Sequence, residues 1–162
     1  MRHAIALMLF LTLLQGALAY AALGGAPSDF GGAATVSARR FAAGAAGTNS
    51  TSSTNSGTDA VYTVSQSTLD SGTVVREYSD AAGKVFAVSW RGPTLPDLRT
   101  LLGDKFAVMT GAAAKRAQAG HSQLALERAD VVLVSTGHMR AFAGHAWLPG
   151  ALPPGFDTAT IE

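Results

Sequence analysis

The residues best suited to chemistry in this chain are few and widely spaced. Beyond the first twenty residues the histidines are His121, His138 and His145. A metal centre needs three or four ligands converging on one point, and no His-x-His or His-x-x-x-His pair occurs. His138 and His145 are seven apart, an odd spacing that puts them on opposite faces of one continuous strand. No metal and no cofactor is therefore expected. Nucleophilic catalysis needs a hydroxyl beside a base that a third group orients. Ser135, His138 and Asp130 are the nearest approach to such a set, without a Gly-x-Ser-x-Gly elbow. Glu77 and Asp80 flank a predicted turn, where solvated charges are the ordinary outcome, and no Gly-rich phosphate loop is present.

Two polar clusters remain. Trp90-Arg91 closes one predicted strand, and Gly137-His138-Met139-Arg140 opens another. Trp90, Arg91, His138, Arg140 and His145 are the candidate binding residues. The two arginines are suited to a ligand anion or to pairing with Asp97 or Asp130. Trp90 and Trp147 fit packing better than a stacking platform.

The elements that must position these groups can be read from periodicity. Val61–Val64 is β-prone, Ser71-Gly72 turns the chain, and a second strand runs from Thr73 to about Ser79. Asp80–Gly83 is a compact hairpin loop. Strand Lys84–Trp90 follows, its two-residue period placing Phe86, Val88 and Trp90 on one face. After Gly92-Pro93, Thr94-Leu95-Pro96-Asp97 reads as a capping box with Thr94 as N-cap. Leu95, Leu98, Leu102, Phe106, Met109, Ala113 and Ala117 then predict one amphipathic helix of roughly six turns, with Gly103 and Gly111 as places for a break. Ser122–Glu127, Val131–Val134 and Met139–Leu148 make a second group of strands. The apolar run Val131–Val134 has the pattern of a strand covered on both sides. Ala141, Ala143, Gly144 and Ala146 leave room for close approach, for which the alanine-rich helix end is the expected neighbour.

The first residues are organised differently. Arg2 and His3 precede an apolar run, Ala4–Leu14, and small residues follow in A-x-A spacing near Ala19 and Ala21. That layout is a secretory signal peptide, and the run is short against the ~20 residues needed to span a bilayer. Residues 1–21 are accordingly expected to be removed, leaving an exported, periplasmic or secreted chain with no transmembrane segment. With no cysteine, disulfides, thiolate chemistry and a lipoprotein anchor are excluded. Removing Arg2 from 12 Lys+Arg leaves 11 against 11 Asp+Glu, and no basic stripe exists for nucleic acid. Residues 22–59 read as a flexible arm rich in Gly, Ala, Ser and Thr, with a short strand at Thr35–Ser37. Its stretch 42–58 lacks the large apolar side chains that would offset ordering entropy. Residues 60–155 form the domain, and 156–162 a tail.

Several less common words occur in order: S-G-T-V-V-R-E-Y, G-K-V-F-A-V-S-W-R-G-P-T-L-P-D-L-R-T-L-L-G and G-H-M-R-A-F-A-G-H-A-W-L-P. With the signal peptide and A-L-G-G, they resemble a family of small exported bacterial proteins catalogued as a domain of unknown function. The resemblance implies bacterial origin and export, and no transferable catalytic residue.

The expected architecture is α+β: an antiparallel sheet of about five to six strands between Ala60 and Leu148, packed on one long helix. A half-open barrel wrapped on that helix is the alternative. The expected role is a non-catalytic binding or envelope-associated module with an envelope or extracellular partner. The alternative is a small exported hydrolase using His138 with Ser135 or Asp130.

Overall fold

A computed structural model describes residues 23–30, 34–41, 60–115 and 123–161. Strands β1 (Ala34–Phe41), β2 (Ala60–Thr68), β3 (Val74–Ser79) and β4 (Val85–Gly92) are followed by helices α1 (Leu98–Leu102) and α2 (Lys105–Lys115). Strands β5 (Gln123–Glu127), β6 (Val132–His138) and β7 (Ala141–Trp147) complete one sheet, in the order β1-β2-β3-β4-β7-β6-β5. Every pairing is antiparallel. Two meanders thus join side by side along β4 and β7, with both helices in the connection between them. The three strands, helical connection and three strands expected from residue 60 onward are present, and β1 adds a seventh. The sheet is open, with β1 and β5 at its edges, and is not a barrel around a helix.

One long helix does not form. Gly103 ends α1 with φ 52° and ψ −127°, a backbone conformation that is costly for any residue with a Cβ. Its amide donates to Arg99 O at 3.0 Å, closing the turn before α2 restarts. The cap is also one turn later than the spacing predicts. Asp97 Oδ1 accepts from the amides of Arg99 (2.9 Å) and Thr100 (3.3 Å), while Asp97 Oδ2 accepts from Thr100 Oγ1 at 2.7 Å. Pro96 lies just ahead of that cap, buried, and an aspartate followed by a good helix start outcompetes Thr94. Thr94 is held elsewhere, its carbonyl accepting from Thr73 Oγ1 at 2.7 Å.

The predicted face of β4 breaks at a bulge. Tyr78 pairs with Ala87 and Ser79 with Val85, so Phe86 is the extra residue on its strand. An inserted residue resets the alternation. Val85, Val88 and Trp90 therefore enter the core under the helices, and Phe86 joins a second core on the opposite face.

The inner core, on the helical face, unites Val75, Val88, Trp90, Leu101, Leu102, Leu133 and Ala146 with Leu23. Residues 23–28 run along this face. The amide of Leu23 donates to Leu101 O (3.1 Å), Gly24 N to Val85 O (2.7 Å), and Val85 N to Gly25 O (2.8 Å). The small residues of β7 do receive a close neighbour, but it is the indole of Trp90. A Cβ on Gly144 would lie 2.3 Å from Trp90 Cζ2 and 2.6 Å from Val134 O. The outer core gathers Tyr62, Val64, Tyr78 and Phe86 beneath Phe156 and Ile161 of the C-terminal segment. Phe156 stands edge-on to Tyr62 (5.2 Å between centroids) and Phe86 (4.9 Å). Residues 156–161 thus pack as part of the domain. Val131 and Leu133 are buried, whereas Val132 and Val134 on the other face are half-exposed, so β6 has full cover on one side only. The stretch 42–58 and the helix continuation to Ala117 lie outside the described residues.

Candidate functional site

Strand register sorts the polar side chains by face. Gln66 pairs with Arg76, Arg76 with Ser89, and Ser89 with His145, so a polar row crosses β2, β3, β4 and β7 on the outer face. The next row is aromatic and apolar, with Val64, Tyr78, Ala87 and Trp147 in register, and the C-terminal segment covers it. Where the segment ends, the two rows leave a cleft of about 500 Å³. Its walls are Thr35 and Ser37 from β1, Tyr62, Val64 and Gln66 from β2, Arg76 and Tyr78 from β3, and Ala159-Thr160 opposite.

Each wall has a local reason to be there. Alternation along β2 turns Tyr62, Val64 and Gln66 outward together, and the turn closed by Gly72 (φ 82°) returns β3 with Arg76 beside Gln66. Arg76 Nε donates to Gln66 Oε1 at 2.9 Å, fixing the guanidinium against the amide. Tyr78 Oη donates to Thr160 O at 3.3 Å. Asp157 caps the short turn that carries Ala159 and Thr160, accepting from Ala159 N at 2.9 Å. The cleft is therefore rigid on the sheet side and pinned on the other by Phe156 and Ile161.

The residues singled out by sequence are distributed more widely. Trp90 is 1% exposed on the inner face, with Nε1 lacking a hydrogen-bond partner among the described residues; it is core. Arg91 is exposed at the end of β4, opposite Ala143. His138 is exposed at the end of β6, and Arg140 sits in the β6–β7 turn at φ 61°. Met139 between them is 96% exposed. His145 is half-buried in the polar row, its ring 5.5 Å from Trp147, and burial pushes its pKa down from the usual histidine value. Arg91, Arg140 and His138 do gather at one end of the sheet, while His145 lies further along β7.

The odd spacing of His138 and His145 does not put them on opposite faces. His138 and His145 share the outer face, because His138 pairs with Ala141 and a two-residue turn resets the phase. Four residues of strand separate Ala141 from His145, about 13 Å at ~3.3 Å each, too far for one ligand. Ser135 and His138, three apart on the unbroken strand β6, point to opposite faces. Asp130 is engaged by Lys105 Nζ at 2.9 Å, and that ion pair holds its carboxyl below the usual range. Asp97 is committed to its helix cap. The hydrolase constellation is thus not assembled, and neither acid serves Arg91 or Arg140.

Gln66, Arg76, Tyr62 and Tyr78 were not singled out by sequence. The signal was nonetheless present: a hairpin turning at Ser71-Gly72 with period-two strands sets Tyr62/Gln66 beside Arg76/Tyr78.

A second polar anchor lies on the inner face. Glu77, 1% exposed, accepts the Ser28 amide at both carboxylate oxygens, 3.0 and 2.9 Å. Burial pushes its pKa up from the ordinary glutamate value, opposed by the side-chain and backbone hydrogen bonds of Ser28. This group ties residues 23–28 to β3 and faces away from the cleft.

Among the described residues no helix is long and apolar enough to cross a membrane. Residues 19–161 match the model of a family described as a protein of unknown function, DUF2844. The chain belongs to that family. No curated protein and no solved structure matches it.

Proposed function

We propose that this member of the DUF2844 family is a non-catalytic binding module that acts outside the cytoplasm, holding a small polar ligand in the outer-face cleft. One observation carries the reading: a cleft of about 500 Å³ walled by Tyr62, Gln66, Arg76, Tyr78 and Thr160. A volume within ~300–1,000 Å³ is the usual size of a small-molecule site, and a lining this polar suits a polar ligand. Preformed walls favour binding because little conformational freedom is lost when the ligand enters. The separation of Ser135, His138 and Asp130 favours binding over hydrolysis. The charged, apolar, then small-residue order of residues 1–21 supports export, to the periplasm or beyond.

A ligand-observed NMR screen of small polar molecules against residues 22–162 tests the binding role. Hits that lose their signal on Arg76→Ala are expected; hits indifferent to Arg76→Ala and Gln66→Ala would contradict it. Fusion of residues 1–25 to a reporter active only after export tests the location. Activity is expected, and a cytoplasmic, uncleaved product would contradict it.

A further inference from the structure

We propose that the cleft takes a short saccharide, gripped through adjacent ring hydroxyls by Gln66 and Arg76. This rests on the binding-module reading and names its ligand class.

The wall chemistry argues for it. Apart from Val64 and Ala159, every lining residue carries a hydroxyl, an amide or a guanidinium. Hydroxyl and amide side chains both donate and accept, which matches a ligand whose own hydroxyls do both. An apolar ligand would strand these groups without partners, at about 1–3 kcal/mol for each one desolvated. A phosphate-rich ligand is favoured by clustered cations or a glycine-rich loop, and Arg76 is the one cation among the lining residues described.

The geometry argues in the same direction. Arg76 Nε donates to Gln66 Oε1 at 2.9 Å, so the guanidinium and the amide are tied together across β2 and β3. Planar forks suit two neighbouring oxygens at once, and adjacent hydroxyls on a sugar ring present such a pair. Tyr62 and Tyr78 bring phenolic hydroxyls from rings anchored in the aromatic cluster. Thr35, Ser37 and Thr160 add shorter hydroxyls around the rim, and the volume has room for about one or two sugar rings.

The test is a two-dimensional amide NMR titration of residues 22–162 with maltose, digalacturonate and, as a carboxylate without sugar hydroxyls, acetate, each separately and to millimolar concentration. Saturable shifts are expected at 35–37, 62–66, 76–78 and 159–160 with at least one of the two sugars. Gln66→Ala should weaken that binding roughly tenfold, and so should Arg76→Lys, which keeps charge but loses the fork. His138→Ala, at the far end of the sheet, should leave it unchanged. Thermal unfolding of each variant confirms that it is folded. Saturation by acetate with no response to either sugar would overturn the saccharide assignment and leave the binding module standing. No saturable shift at the cleft with any of the three probes would overturn both. Undiminished sugar binding in folded Gln66→Ala and Arg76→Lys would overturn the assigned grip.

Discussion

Glu77 holds the amide of Ser28 between its two carboxylate oxygens, at 3.0 and 2.9 Å, across a separation of forty-nine residues. A carboxyl buried this deeply is stabilised by hydrogen bonds and penalised by desolvation, and here desolvation is the larger effect. The folded chain therefore binds the Glu77 proton more tightly than the unfolded chain does. Stability attributable to this group is greatest below the unfolded pKa and falls as pH rises through the folded value. Glu77→Gln, which retains an acceptor for Ser28, should gain stability relative to wild type as pH increases from 4 to 8. Urea unfolding at several pH values in that range reads the effect; a parallel pair of curves would count against it.

Gly144 and Trp90 share one volume, since a Cβ at 144 would sit 2.3 Å from the indole. Gly144→Ala should cost about 1–3 kcal/mol as overpacking. Adding Trp90→Phe should recover part of that loss, with the remainder due to Val134 O at 2.6 Å. Additive effects in this double-mutant cycle, measured by chemical denaturation, would show that the contact is not the cause.

Two glycines in the helical region should respond with opposite signs. Gly103 has φ 52° and ψ −127°, so Gly103→Ala should destabilise by about 1–3 kcal/mol. Gly111 lies inside α2 with nothing near its Cβ position, so Gly111→Ala should stabilise by about 0.5–1 kcal/mol. Unfolding midpoints moving in the same direction would contradict this account of the helix break.

The C-terminal segment should behave as part of the domain. Phe156 meets Tyr62, Tyr78 and Phe86 edge-on, and Phe156→Ala should cost about 3 kcal/mol. It should also raise amide exchange at Ala159 and Thr160, the far wall of the cleft. Unchanged stability would mean the segment is not seated there.

How much of this was legible in the sequence depends on whether the signal is local. Val74–Ser79, the Asp80–Gly83 turn and Val131–Val134 announce themselves by residue type, and the six strands from residue 60 follow. The bulge does not: Phe86 looks like any other core residue of β4, and only pairing against Tyr78 and Ser79 shows it displaced. Likewise His138 and His145 change their relation when a two-residue turn resets the phase between them. The helix break was foreseeable at Gly103 but competed with a long apolar stripe. The cleft was hardest to see because it combines Thr35, Gln66, Arg76 and Thr160, which no short window contains. Those residues meet through strand register and through the docking of Phe156, both tertiary facts.

The central claim, that the outer-face cleft is where this protein binds, is tested most directly by comparing its two polar regions. Calorimetric titration of digalacturonate, or of maltose if the NMR titration selects it, would be run on wild type, Gln66→Ala/Arg76→Lys and His138→Ala/Arg140→Ala. The expected result is saturable binding by wild type and His138→Ala/Arg140→Ala, weakened at least roughly tenfold in Gln66→Ala/Arg76→Lys. Binding that survives in the folded cleft variant and disappears in the His138/Arg140 variant would contradict the account, placing the site at the β6–β7 turn.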